Sequence, residues 1–229
     1  MDQLEQISSL IALSMGVGWA SGLNLYATLL TLGLLGASGN MVLPPDLQAL
    51  SNPLVIFAAG AMYLVEFCAD KIPGVDTTWD GLHTFIRIPA GAMLAAGAVG
   101  QMDPAVSLAA AIVGGGLAAG THATKAGSRV LINTSPEPFS NWVASVGEDL
   151  LVIGGLWAAL RHPYLFLCLL ILFILLMVWL LPKIWRGIRK IFAKIRSLFR
   201  RNDPPLSSPP ELKTPDSFPD LPQDPGAGI

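Results

Sequence analysis

The side chains equipped for chemistry fall into three clusters along the chain. The first holds Glu66, Asp70, Lys71, Asp76, Asp80, His83 and Arg87. The second holds His122, Lys125 and Arg129, and the third is the adjacent pair Glu148-Asp149. On a helix, Asp76, Asp80 and His83 stand at i, i+4 and i+7, inside a sector of about 60°. Two carboxylates and an imidazole so placed could bind a divalent cation. The plainer reading is a solvated interfacial face with Trp79 at headgroup level. His122, Lys125 and Arg129 also share one helical face. They could hold a phosphate or carboxylate, or pair with the acids of the first cluster, and pairing is the expectation. Glu148 and Asp149 diverge by about 100° on a helix, so they cannot face the same partner. At least one points into the protein, either to a salt bridge with Lys125, Arg129 or Arg87, or as a carboxylate that binds a cation or proton. Which metal would fit, if any, is open, and no cofactor can be named.

Seven acids (Glu66, Asp70, Asp76, Asp80, Glu137, Glu148 and Asp149) face four fixed cations (Lys71, Arg87, Lys125 and Arg129) in these clusters and their linker. A site formed by their convergence is net negative and suits a cation or proton better than an anion. Asp70, Asp76, Asp80, His83, Glu148 and Asp149 are then the binding residues. Lys71, Arg87, His122, Lys125 and Arg129 balance charge or gate.

The elements that position these residues follow from composition. The 229-residue chain is 52% hydrophobic and only 13% charged, with a mean hydropathy of +0.57. That charged fraction is about half the usual one for a soluble domain. Eight of the fourteen Lys and Arg residues lie between Lys183 and Arg201, which leaves residues 7–181 nearly bare of charge outside the clusters. A soluble enzyme, a nucleic-acid-binding module and a disulfide-stapled secreted domain are excluded, and nucleic acid is no partner. Cys68 and Cys168 sit in separate apolar runs as small hydrophobes. The N-terminus lacks a basic stretch before its apolar run and does not read as a cleaved signal.

At about 20 apolar residues per crossing, six transmembrane helices are expected: 7–35, 54–68, 84–100, 105–119, 142–160 and 164–181. Gly22 and Asn24 interrupt the first. Residues 16–24 and 114–122 both fit G-x-G-x-A-small-G-x-polar. Two readings of this stand side by side. One is a pair of inverted three-helix repeats, the second broken near Gly120, with a site at the breaks as in transporters. The other is small-residue packing through Gly18-x-x-x-Gly22 and Gly116-x-x-x-Gly120.

The transmembrane domain thus covers residues 1–181. Residues 182–201 form a basic amphipathic helix expected to lie on anionic lipids of the inner leaflet. Residues 202–229, rich in Pro, Ser and Asp, read as a disordered tail. The basic segment places both termini on the cytoplasmic side. A homo-oligomer is compatible with six short spans.

The clusters also carry a resemblance. Residues 69–76 (Ala-Asp-Lys-Ile-Pro-Gly-Val-Asp), Trp79-Asp80, residues 83–87 (His-Thr-Phe-Ile-Arg), His122 with Lys125 and Arg129, residues 133–141 (Asn-Thr-Ser-Pro-Glu-Pro-Phe-Ser-Asn), and Ser145 with Glu148-Asp149 resemble motifs of a bacterial integral-membrane family. It is known as domain of unknown function 4126, and the likeness covers roughly residues 7–160. The resemblance implies that these polar residues share one site in a bacterial inner-membrane protein, and implies no activity. The leading reading is a small transporter or channel. A membrane-embedded Mg-dependent enzyme acting on a lipid phosphate is second, and a scaffold recruiting partners through residues 183–229 is third.

Overall fold

The computed structural model describes residues 3–134 and 139–200, with side chains to residue 197. Among the described residues there is no strand. The helices are α1 (Gln3–Ala37), α2 (Pro53–Ala69), α3 (Val75–Ala98), α4 (Pro104–Ile132), α5 (Phe139–Arg161) and α6 (Pro163–Arg200), with a short 3-10 turn, Pro45–Ser51, ahead of α2. The chain marks several starts. The Asn52 side chain accepts from the Leu54 N–H with Pro53 at the first helical position, and Asp103 does the same for Ala105 ahead of Pro104. Gly74 enters α3 at a φ of 86°, a left-handed conformation open to glycine.

Two helices outrun the spans expected from hydropathy. α3 begins at Val75 rather than near residue 84, and α4 continues to Ile132 rather than ending near residue 119. The extra turns carry the charged clusters, whose side chains are buried, so a hydropathy window stops short of the helix ends. α1, α4, α5 and α6 are long and apolar enough to cross a bilayer, and α2 joins them when taken with the 3-10 turn, from which it bends by 69°. These are the helices of a multi-pass membrane protein.

α1 is central and packs against α2, α3, α4 and α5, while α3 and α4 pack closely on each other. Small residues allow the approach. A Cβ on Gly18 would lie 2.7 Å from the Gly114 Cα, and one on Gly22 would strike the Thr121 side chain and the Ala118 carbonyl. Gly91 of α3 faces Ser21 and Ala118 in the same way. The two glycine motifs therefore meet, which is the small-residue contact the sequence allowed, but α4 contributes Gly114 rather than Gly116, which faces open space.

The expected helix breaks divide. α1 leaves helical geometry at Asn24 (φ −147°, ψ 101°), two residues past Gly22. α4 runs unbroken through Gly120, contrary to expectation, because that glycine serves a close approach: a Cβ there would lie 2.7 Å from the Met177 sulfur of α6. α6 likewise passes through Pro182 as one helix, with Ile184 against Gly127 and Gly187 against Leu131. An apolar cleft of about 400 Å³ between α1, α5 and α6, lined by Trp19, Leu151, Gly155, Phe166 and Phe173 among others, carries no charged side chain. Cys68 and Cys168 are free and exposed.

Candidate functional site

The site is built on the break in α1. In an unbroken helix the Ala27 N–H would bond to the Leu23 carbonyl, four residues back. Here it donates instead to the Asn24 side-chain oxygen at 2.9 Å. Asn24 thus caps the second half of α1, and the Leu23 carbonyl is released to another donor. That donor is Lys125, whose Nζ lies 3.1 Å away. The two new helix ends face opposite charges. The carbonyl end meets an ammonium, while Asn24 Nδ2, at the amide end, donates to Asp149 Oδ1 at 2.9 Å. Both placements suit the helix dipole.

Lys125 Nζ sits among four carboxylates: Asp70 Oδ2 at 2.9 Å, Glu148 Oε2 at 3.2 Å, Glu66 Oε1 at 3.4 Å and Asp80 Oδ1 at 3.8 Å. Two arginines complete the network. Arg87, fully buried, donates to Glu66 Oε1 at 2.5 Å and to Asp80 Oδ1 at 2.9 Å. Arg129 donates to Glu148 Oε2 at 2.9 Å and to the main-chain carbonyls of Asp70 and Asn141, each at 3.1 Å. Four carboxylates thus face three cations, one negative charge in excess. Glu66 Oε2, Asp70 Oδ1 and Asp80 Oδ2 are buried without a protein donor. Arg87 Nε and Arg129 Nε are likewise buried without a protein acceptor, so the network leaves both donors and acceptors unpaired in a place where burying charge is costly unless it is paired and hydrogen-bonded.

Hydrogen bonds orient His83 and His122. Arg87 Nη1 can only donate, so His122 Nδ1, 3.1 Å away, accepts. Thr84 Oγ1 donates to the Asp80 carbonyl, so His122 Nε2 donates to Thr84 at 2.8 Å. His83 Nδ1 donates to the Trp79 carbonyl at 2.9 Å, and Nε2 lies 3.1 Å from the Tyr26 hydroxyl. The Arg87 contact holds the His122 imidazole neutral.

Asp76, Asp80 and His83, expected on one face, are all buried rather than solvated, but they go to three different partners. Asp80 joins Arg87, His83 joins Tyr26, and Asp76 accepts two hydrogen bonds from Asn133 Nδ2 at 2.8 and 3.0 Å. Asn133 Oδ1 accepts in turn from Asn141, tying α3, α4 and α5 together. Among the described residues no three or more His, Cys, Asp or Glu side chains are grouped to hold a metal ion.

Glu148 and Asp149 both point inward, to different partners, as their 100° divergence requires. Glu148 takes Lys125 and Arg129, while Asp149 takes Asn24 and the Tyr63 hydroxyl at 2.9 Å. Lys71, expected to balance charge, stays out of the network: its ammonium lies over the Phe67 ring and donates to the Phe67 carbonyl. Glu137 lies outside the described residues.

Sequence reasoning left Glu66, Tyr63, Tyr26 and Thr84 off the binding set. Glu66 had a visible signal, a lone acid in an apolar run one helical turn before Asp70. Thr84 lay inside the motif of residues 83–87, while the tyrosines had no signal, because nothing local distinguishes a tyrosine that reaches a polar side chain on another helix.

Fold and site define an all-α protein of the multi-pass membrane class, with a closed ion-pair network gathered at a helix break. The chain belongs to the family described as domain of unknown function 4126, which it matches over residues 11–183, into α6 and past the limit of the motif resemblance. Searches of curated proteins and of solved structures find no match to it.

Proposed function

We propose that the protein is a small transporter or channel of the bacterial inner membrane, with a cation or proton held in the network around Lys125. One observation carries this reading. A broken membrane helix gives up a main-chain carbonyl, Leu23, to Lys125 in a buried cluster in which acids outnumber bases. Broken helices whose ends meet ions are a recurring transporter device, and intramembrane charge is expensive enough to need a use. In this reading all six helices lie in the bilayer, α3 included because its charges are turned inward. The basic end of α6 is cytoplasmic, and the exposed Lys183, Arg186, Arg189 and Lys190 face anionic lipid. A lipid-phosphate enzyme has less support, since Asp76, Asp80 and His83 part company and Lys125 and Arg129 are already engaged by carboxylates. Rocking of two inverted halves also has less support, because α4 is unbroken and packs tightly on α3 of the other half.

The test is flux in proteoliposomes under an imposed proton or cation gradient. Glu148→Gln and Asp80→Asn are expected to fold and to abolish flux. Undiminished flux in both variants would refute the site.

A further inference from the structure

The two halves of α1 run in opposite directions. Residues 3–23 run toward the network. Ser14 Oγ donates to the Ala95 carbonyl at 2.8 Å, and Ser21, further along, lies against Gly91, so this half is antiparallel to α3. It is antiparallel to α5 as well, with Gly16 on Ala159, Trp19 on Gly155 and then Asn24 on Asp149. Residues 25–37 lead away again. Tyr26 lies beside His83, Leu30 against Gly60, Gly33 against Ile56 and Gly36 against Ser51. Their partner α2 runs toward the network, bringing first Tyr63 and then Glu66 to it. The two ends of α1 therefore lie at the same end of the protein. Glu5 and Ser9 line a cavity with Leu160 and Arg161, and Leu35 and Asn40 line another with the same two residues. In a straight helix Ser9 and Leu35 would stand about 39 Å apart.

The basic stretch of α6 lies at the other end. Ile184 packs on Gly127 and Gly187 on Leu131, past Lys125 along α4. Basic residues mark the cytoplasmic side, and the first Lys or Arg in the chain is Lys71, well after α1. We propose that α1 is a re-entrant hairpin. It enters the bilayer from the extracytoplasmic face, turns at Asn24 against the network and returns to the face it came from, leaving α2 to α6 as five crossings. The expected six crossings would instead put the start of α1 beside the basic stretch. A turn within a membrane requires its backbone groups to be satisfied by the protein. Asn24 meets this by capping the second half, and Lys125 by taking the Leu23 carbonyl. The hairpin stands between the network and the extracytoplasmic face, so a cation or proton arriving from that side meets α1 first. The topology itself does not rest on the transport reading.

The experiment uses the full chain in a bacterial inner membrane, with the exposed Cys68 and Cys168 changed to alanine. Single cysteines are then placed at three exposed positions: Gln6→Cys at the start of α1, Ser38→Cys just after it, and Arg189→Cys in the basic stretch. Spheroplasts are treated with a membrane-impermeant maleimide before and after lysis. Gln6→Cys and Ser38→Cys are expected to label in intact spheroplasts, and Arg189→Cys only after lysis. Where Gln6→Cys does not accumulate, Glu5→Cys reports the same end of α1. Labelling of residue 6 or 5 only after lysis, together with Arg189→Cys, means that α1 crosses the bilayer and overturns the proposal. Labelling of Arg189→Cys in intact spheroplasts, with the other two protected, overturns the extracytoplasmic entry. Flux plays no part in the readout, so loss of the transport reading leaves the hairpin standing, and loss of the hairpin leaves the transport reading to its own test.

Discussion

Arg87→Met tests whether the network is held together by charge balance. Arg87 is fully buried and donates to Glu66 and Asp80 at 2.5 and 2.9 Å and to His122 at 3.1 Å. Methionine keeps much of its volume, so the change removes charge and donors rather than packing. Four carboxylates then face two cations. Glu66 and Asp80 are left with Lys125 alone, at 3.4 and 3.8 Å. Removing one partner of a buried ion pair costs about 3–5 kcal/mol, a large part of a net stability of about 5–15 kcal/mol. Arg87→Met/Glu66→Gln restores the original excess of one negative charge, so the double variant should be more stable than the sum of the singles by about 1–3 kcal/mol. Unfolding in detergent followed by far-ultraviolet circular dichroism measures all three variants. An Arg87→Met variant within about 0.5 kcal/mol of wild type, the range of a surface change, or strict additivity in the double variant, would refute the charge-balance argument.

Two further outcomes follow from packing and hydrogen bonding. Gly22→Ala should cost about 1–3 kcal/mol by overpacking, since its Cβ meets the Ala118 backbone as well as Thr121. Gly116→Ala, facing open space on α4, should be neutral or stabilising by up to about 1 kcal/mol; thermal melts of the pair separate close approach from helix propensity. Asn133→Asp keeps the shape but turns the donor to Asp76 into a second carboxylate. It should cost at least about 1.5–3 kcal/mol, the value of a hydrogen bond to a charged group, and Asp76→Asn in the same chain should recover part of that in the same melts.

What the sequence determined by itself was local. The shared face of His122, Lys125 and Arg129, the divergence of Glu148 from Asp149, and the loosening of α1 near Gly22 and Asn24 all follow from helical geometry and the chemistry of a few neighbouring residues. The sparse charge dictated an all-helical membrane class for the same reason, since apolar length is written along the chain. Which side chains meet was decided only by the tertiary structure. That Lys125 rather than Arg87 sits at the centre depends on how α2, α3, α4 and α5 are rotated about their axes, and helix rotation is set by contacts such as Gly18 on Gly114 and Gly22 on Thr121. The same rotations send Asp76 to Asn133 and His83 to Tyr26, leave Lys71 over Phe67, and turn Gly120 into a contact with Met177 rather than a break. Spacing along one helix fixes the direction of a residue, while its partner is fixed by the neighbour that packing brings to that side.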